Sequence, residues 1–201
     1  MRSGSPGVSA RFRAMVVAAG CASALPSLAL PQGIPAGRVA SGTLSFDGHA
    51  TAGDFTGSTT SVSGQSTAAS DLSGLRGWVE APVQTLKTGN GKRDKDLNKS
   101  MESDKYPTMR FDLTTVSRTG GSADSAEVML HGGLTLHGVT RKVDLPATIR
   151  FTGSEARVRT EFPLSLKDYH IGGLSKLLGM LKMYDKIEVH ADLVFRLART
   201  G

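Results

Sequence analysis

The chain has 201 residues, 21% of them charged and 5% aromatic, one cysteine and a formal charge of +6. This length holds one domain with a real core, and a single thiol excludes a disulfide-stapled scaffold. Three of the arginines (Arg2, Arg11, Arg13) precede an uncharged apolar run from Ala14 to Leu30; beyond it, 21 Lys plus Arg face 18 Asp plus Glu, and this modest +3 with few aromatics excludes nucleic acid as a partner.

A positive start, a short apolar stretch, and Ser27 and Ala29 ahead of a cut make residues 1–29 read as a secretory signal peptide. The run is short for a membrane span and is broken by Gly20 and Pro26. The implied setting is periplasmic or secreted. Ala19-Gly20-Cys21 allows a second layout, a lipoprotein box that would anchor the chain through a lipidated Cys21. Ala18, where such boxes carry Leu, and the apolar residues that follow make cleavage near Ala29 the stronger reading. Residues 30–41 then read as a linker and 42–199 as the folded domain.

From Gly33 to Leu75 the chain is rich in Gly, Ser and Thr, with Leu44, Phe46, Phe55 and Val62 scattered among them, which suits short twisted strands. Trp78 to Leu86 alternates with Val79, Ala81 and Val83 on one parity, and Pro82 assigns this strand to an edge or bulge. Thr88-Gly89-Asn90-Gly91 is turn chemistry. It leads into a short polar helix over 92–101 whose Leu97 and Met101 can touch the body, with Thr88, Asn90, Arg93 and Asp94 as turn and capping residues. Tyr106-Pro107 closes that insertion. Met109, Phe111 and Leu113 alternate in the next strand, and Arg118 to Ser125 reads as a hairpin loop.

Val128, Leu130, Leu134 and Leu136 keep one parity up to His137, and Val143, Leu145, Ala147, Ile149 and Phe151 keep one after it. This is the period of half-buried antiparallel strands, with the bend assigned to Gly138–Arg141. His137 is expected to hydrogen-bond across that bend. Val158, Thr160, Phe162, Leu164 and Leu166 form another strand, and Val189, Ala191, Leu193, Phe195 and Leu197 the last. Between them Leu174, Leu177, Leu178 and Leu181 share a helical face, so a second short helix is expected over 174–182, as a lid at a cavity mouth or as ordinary packing.

In order and spacing, VQTLKTGNGKRDKDLNK, KYPTMRF and LTLHGVTRKVDLPATIRF resemble the YceI-like, or polyisoprenoid-binding, family, with the similarity running from about Gly42 to Leu197. The resemblance implies an all-β fold: a single extended lipocalin-like antiparallel β-barrel of about eight strands, here with two short helical insertions. It also implies an apolar tunnel for a polyprenyl or other amphiphilic lipid, and no cofactor. The inward parity then makes Val79, Val83, Phe111, Leu130, Leu134, Leu136, Val143, Leu145, Ile149, Phe151, Phe162, Leu164, Leu193 and Phe195 the tunnel wall, with Leu177 and Leu181 added from the second helix. For any one of these residues, plain core packing is the ordinary explanation; only the tunnel they form together is a functional expectation. The same reading admits transient contact with a membrane and a homodimer as further partners.

Two other classes stay open. A ligand-free envelope stress or interaction protein would use the surface of the same barrel. A metal-assisted hydrolase would draw on His49, His131, His137, His170 and His190, with Asp168, Glu188 and Asp192. Geometry weighs against the latter, because six strand residues hold His131 and His137 roughly 20 Å apart, too far to share one ion. His190 reads as one member of a solvated charge group with Glu188 and Asp192. We therefore expect no catalytic and no metal-binding residues.

Overall fold

Alternating apolar and polar residues become long paired strands in the computed structural model, which describes residues 33–51, 53–122, 124–172, 175–176, 181–182 and 184–199; the segment read as a leader lies outside them. The strands are β1 (Gly37–Gly48), β2 (Phe55–Thr59), β3 (Ser63–Ser66), β4 (Gly77–Pro82), β5 (Thr108–Gly121), β6 (Ser125–Leu136), β7 (Val139–Thr152), β8 (Glu155–Ser165), the two-residue β9 (Ser175–Lys176) and β10 (Leu181–Lys182), and β11 (Lys186–Leu197). Among the described residues there are also one α-helix, α1 (Gly91–Ser100), and three short 3-10 turns. No helix among the described residues is long and apolar enough to cross a membrane.

Nine strands form one antiparallel sheet in the order β11-β8-β7-β6-β5-β4-β3-β1-β2, and β1 also pairs with β11, closing a barrel. One edge of β1 is shared. β3 takes Gly37 and Arg38, and β2 takes Leu44 to Gly48. Eight strands therefore close the wall and β2 is an addition to it. β1 starts at Gly37, ahead of the Gly42 boundary read from sequence.

β6 shows why the wall has two faces. Ala126, Val128, Leu130, Leu134 and Leu136 are buried on one parity, and Glu127, Met129 and His131 take the other. The bend after β6 differs from the expectation. It is the two-residue turn His137-Gly138, with φ of 50 and 73, and Leu136 pairs directly with Val139. Two positive-φ residues make a type I′ turn, whose twist matches that of the strands, so pairing continues to the turn itself and Val139–Arg141 join β7. The side of Gly138 packs against the Tyr106 ring, where a Cβ would collide.

Three other expectations are corrected. The strand expected to run to Leu86 ends at Pro82 and continues as a 3-10 turn over Val83–Thr85, because Pro82 has no N–H for the ladder and Val83 donates instead to the Pro107 carbonyl. The hairpin loop expected from Arg118 is shorter, since β5 reaches Gly121 by way of bulges at Leu113/Thr115 and Arg118/Gly120. Where a helix is expected over 174–182, Ser175 pairs with Lys182 and Lys176 with Leu181 as two short antiparallel strands, while Leu174 and residues 177–180 lie outside the described residues.

The helix expected over 92–101 forms as α1. Asn90 is its N-cap, accepting from the Lys92 and Arg93 N–H groups at 3.1 Å. Asp94 accepts from the Thr88 hydroxyl at 2.7 Å and the Thr88 N–H at 2.8 Å. Arg93 donates back to Thr88 and lies 4.4 Å from the Phe55 ring centre. The Thr88 bonds hold the Asp94 carboxyl below the ordinary carboxylate range. This stabilisation is complete above the unfolded pKa near 4 and is lost as pH falls through the lower native value. Thermal melting of Asp94→Ala against the parent checks it: the parent melts higher at pH 6, and the gap narrows as the pH is taken below the ordinary carboxylate range. A gap independent of pH would assign the effect to packing.

Candidate functional site

The inward rows meet around a cavity of about 240 Å³ inside the barrel, walled almost wholly by apolar side chains. It is many times the about 10–15 Å³ that one water occupies, and a void with so few polar partners stays dry. β4 and β5 contribute Val79 and Phe111, β6 contributes Leu130, Leu134 and Leu136, and β7 contributes Leu145, Ile149 and Phe151. β8 adds Phe162 and Leu164, and β11 adds Leu193 and Phe195. All of these are expected from parity.

Two expected wall residues are elsewhere. Val83 is 1% exposed but sits in the 3-10 turn beyond β4, and Val143 packs half-buried against the core without bordering the cavity. Leu177 and the Leu181 side chain lie outside the described residues. The sequence reading also left residues out of the wall. Leu44 and Phe46 enter from the glycine-rich β1, Leu97 and Ser100 from α1, Met101 from its C-cap, and Leu166 and Ile171 from the 3-10 turn Leu166–Tyr169 and its sequel. Leu97 and Met101 carried a signal in their spacing of four; Ile171 carried none, because it stands alone in a loop.

The cavity has a defined end where α1, the β6–β7 turn and the 166–171 segment meet. Asp185 anchors that segment: its carboxylate accepts from the Ser165 hydroxyl at 2.7 Å and the Lys167 N–H at 2.8 Å, and these bonds hold its pKa below the ordinary range. His137 does not bond across its own turn as expected; its Nδ1 lies 3.1 Å from the Tyr169 carbonyl. Tyr106 packs edge-on to the imidazole, ring centres 4.7 Å apart. On the wall, Arg110 binds Asp112 at 2.8 Å and Glu80 at 3.0 Å and stacks 4.6 Å from the Trp78 ring centre, so the charges bordering the cavity are paired.

The other histidines face outward, and two of them, His131 and His190, bond across strands. His190 lies 2.9 Å from Asp47 and 3.4 Å from Glu161, not against the Glu188 and Asp192 of its own strand. Glu161 is directly opposite His190 on β8, and Asp47 is its diagonal neighbour on β1, both within reach across the strands. Asp192 instead binds Arg157 and Arg159. His49 pairs with Asp54 at 2.7 Å, and exposed His170 caps the 166–169 turn. His131 lies 2.6 Å from Asp144 and 2.9 Å from the Ser117 hydroxyl, a serine-histidine-aspartate chain across β5, β6 and β7. Acyl transfer also needs donors preorganised around the oxyanion. Here Asp144 is 69% exposed and the chain lies on a sheet face whose N–H groups point along the ladder, so it serves as a cross-strand tie.

The inward rows thus leave an apolar-walled space able to enclose an apolar guest. The family model described as the YceI-like domain matches residues 38–195. Among curated relatives, Protein YceI of Shigella flexneri is 31% identical over 101 residues, 46% of this chain and 50% of that protein. A UPF0312 protein of Pseudomonas savastanoi pv. phaseolicola is 33% identical over 103 residues, 47% of this chain and 52% of that one. The chain thus spans about half the length of the curated relatives it matches. Two solved structures share the fold. A polyisoprenoid-binding domain from Saccharophagus degradans, implicated in plant cell wall breakdown, has a TM-score of 0.67 at 16% identity, covering 82% of this chain and 99% of that one. BcnA of Burkholderia cenocepacia has a TM-score of 0.64 at 15% identity, covering 76% and 95%.

Proposed function

The chain belongs to the YceI-like family, and from that premise we propose that it is a binding or carrier protein holding a polyisoprenoid or similar long amphiphilic lipid inside its barrel. The observation that carries this reading is the apolar-walled cavity of about 240 Å³. An isoprenoid chain moved from water onto such walls gains about 0.8 kcal/mol per CH2 buried, so a few isoprene units bind firmly without any polar contact. The polyisoprenoid-binding domain from Saccharophagus degradans, which shares the fold, supports the same ligand class. The protein acts by capture and release rather than by catalysis. Its setting is the periplasm or the exterior, where it collects the ligand through transient contact with a membrane surface.

Native mass spectrometry of the chain exported into a periplasm, followed by solvent extraction, tests the proposal. The expected result is one apolar chain per protein. An empty protein that takes up no added polyprenyl alcohol overturns it and directs attention to the outer surface, the ligand-free envelope reading.

A further inference from the structure

We propose that His137 is a proton-operated latch on the cavity end covered by α1: protonation at Nε2 locks that end, and loss of the proton frees it for ligand exchange. The gating consequence rests on the carrier reading; the latch itself is a property of the empty protein.

The Tyr169 carbonyl can only accept, so the His137 nitrogen facing it, Nδ1, carries a hydrogen. In the neutral ring Nε2 is then a bare acceptor. It is buried with no hydrogen-bond partner, on a side chain 10% exposed. The nearest charge is the Glu102 carboxylate, with Oε1 at 3.7 Å. Protonation turns the orphan acceptor into a charged donor that faces an anion at ion-pair distance, whereas in the neutral ring two acceptors face each other with no proton between them.

That proton ties three elements together. His137 stands in the β6–β7 turn, Glu102 in the turn that follows α1, and Tyr169 closes the 166–169 turn. Their chain neighbours Leu136, Met101, Leu166 and Ile171 border the cavity, so joining the three stiffens its end. Among the described residues the non-glycine positions with positive φ are Glu102 (44), His137 (50) and His170 (55), and all belong to this end. Strained backbone of this kind persists where surrounding contacts hold it and gathers at parts that switch.

The other charged and titratable groups at this end do not duplicate the switch. Lys105 lies 3.7 Å from Glu102 and 4.8 Å from the Tyr106 ring, but it is well exposed and water screens it. Arg141 of β7 donates to the Asp168 carbonyl. Burial pushes the Tyr169 phenol up, so it stays neutral, and His170 is exposed on the far side of the turn. Histidine is the side chain whose ordinary titration falls between pH 5 and 8.

Hydrogen exchange of the apo full chain, followed on peptides covering 166–172 and corrected for intrinsic rates, reads the latch directly. The opening constant is expected to fall about tenfold from pH 8 to pH 5.5, the scale of one charge-assisted contact. In Glu102→Gln, a change at a half-exposed side chain, it is expected to be the same at both pH values. No change in the parent, or an undiminished change in the variant, overturns the latch. Transfer of retinol, a neutral isoprenoid alcohol, to phosphatidylcholine vesicles reads the gate, and release is expected to be slower at pH 5.5 in the parent only. Retinol that binds and leaves at a rate independent of pH overturns the gating. If retinol and polyprenyl alcohols fail to bind while exchange still switches, the carrier reading falls and the latch stands.

Discussion

Leu145→Trp is expected to abolish uptake of a long isoprenoid, with at least a tenfold loss of affinity, while the protein remains folded. Leu145 on β7 pairs with Leu130 on β6, both are buried, and both border the cavity at mid-barrel. The indole has about 240 Å³ of unfilled space in front of it. Inserting a larger side chain into a filled core typically costs about 1–3 kcal/mol, because neighbours are forced off their rotamers. Here the added ring enters the void, so melting should move little while the ligand loses its path. Fluorescence titration with retinol beside a thermal melt separates the outcomes. A strongly destabilised variant would mean that the barrel is packed by its own side chains, and undiminished binding would mean that the ligand lies elsewhere.

Gly132→Ala is expected to be among the most damaging single-methyl changes in the wall. Gly132 faces inward on β6, opposite Leu113 on β5 and Val143 on β7. A Cβ there would fall on the Asp112 backbone carbonyl and 2.7 Å from the Phe111 ring. The carbonyl belongs to a strand held on both sides, so it cannot step back, and the ring that would have to move is part of the cavity wall. The expected loss is about 3 kcal/mol, the upper end of overpacking costs, or a drop in Tm of about 6–12 °C for a chain of this size. Gly133→Ala is the control. It sits next in sequence on the outward face, where its Cβ would meet only the Thr140 methyl at 3.3 Å, and it should cost less than a third as much. Equal losses from the two would show that the cost comes from glycine flexibility rather than from the close approach of Phe111.

The legible part of the fold was the part with local period. Leu130, Leu134 and Leu136, then Leu145, Ile149 and Phe151, are inward because each lies an even number of residues from the next in a half-buried strand, and the structure keeps all of them on the cavity. The capping chemistry of Asn90 and Asp94 was legible for the same reason, since donor and acceptor lie within six residues. Parity misled where it was carried past a break: Val83 continues the rhythm of Val79 and Ala81, but Pro82 has already ended the strand. Leu174, Leu177, Leu178 and Leu181 fit a helical face, but the described residues of that stretch, Ser175–Lys176 and Leu181–Lys182, pair as strands. A short apolar run supports either period, and tertiary pairing decides between them.

The sequence by itself determined which residues turn inward, where α1 begins and the family to which the pattern points, because these depend on neighbours a few residues apart. Only the tertiary structure decided that β1 closes on β11, that the inward rows leave a void, and that His137 meets Tyr169 and Glu102 rather than its own turn. Closure depends on the registers of all the strands together, and the void is a small difference between the room inside the wall and the side chains that enter it. A contact such as His190 with Asp47, 143 residues apart, exists only once the barrel has brought its two ends side by side.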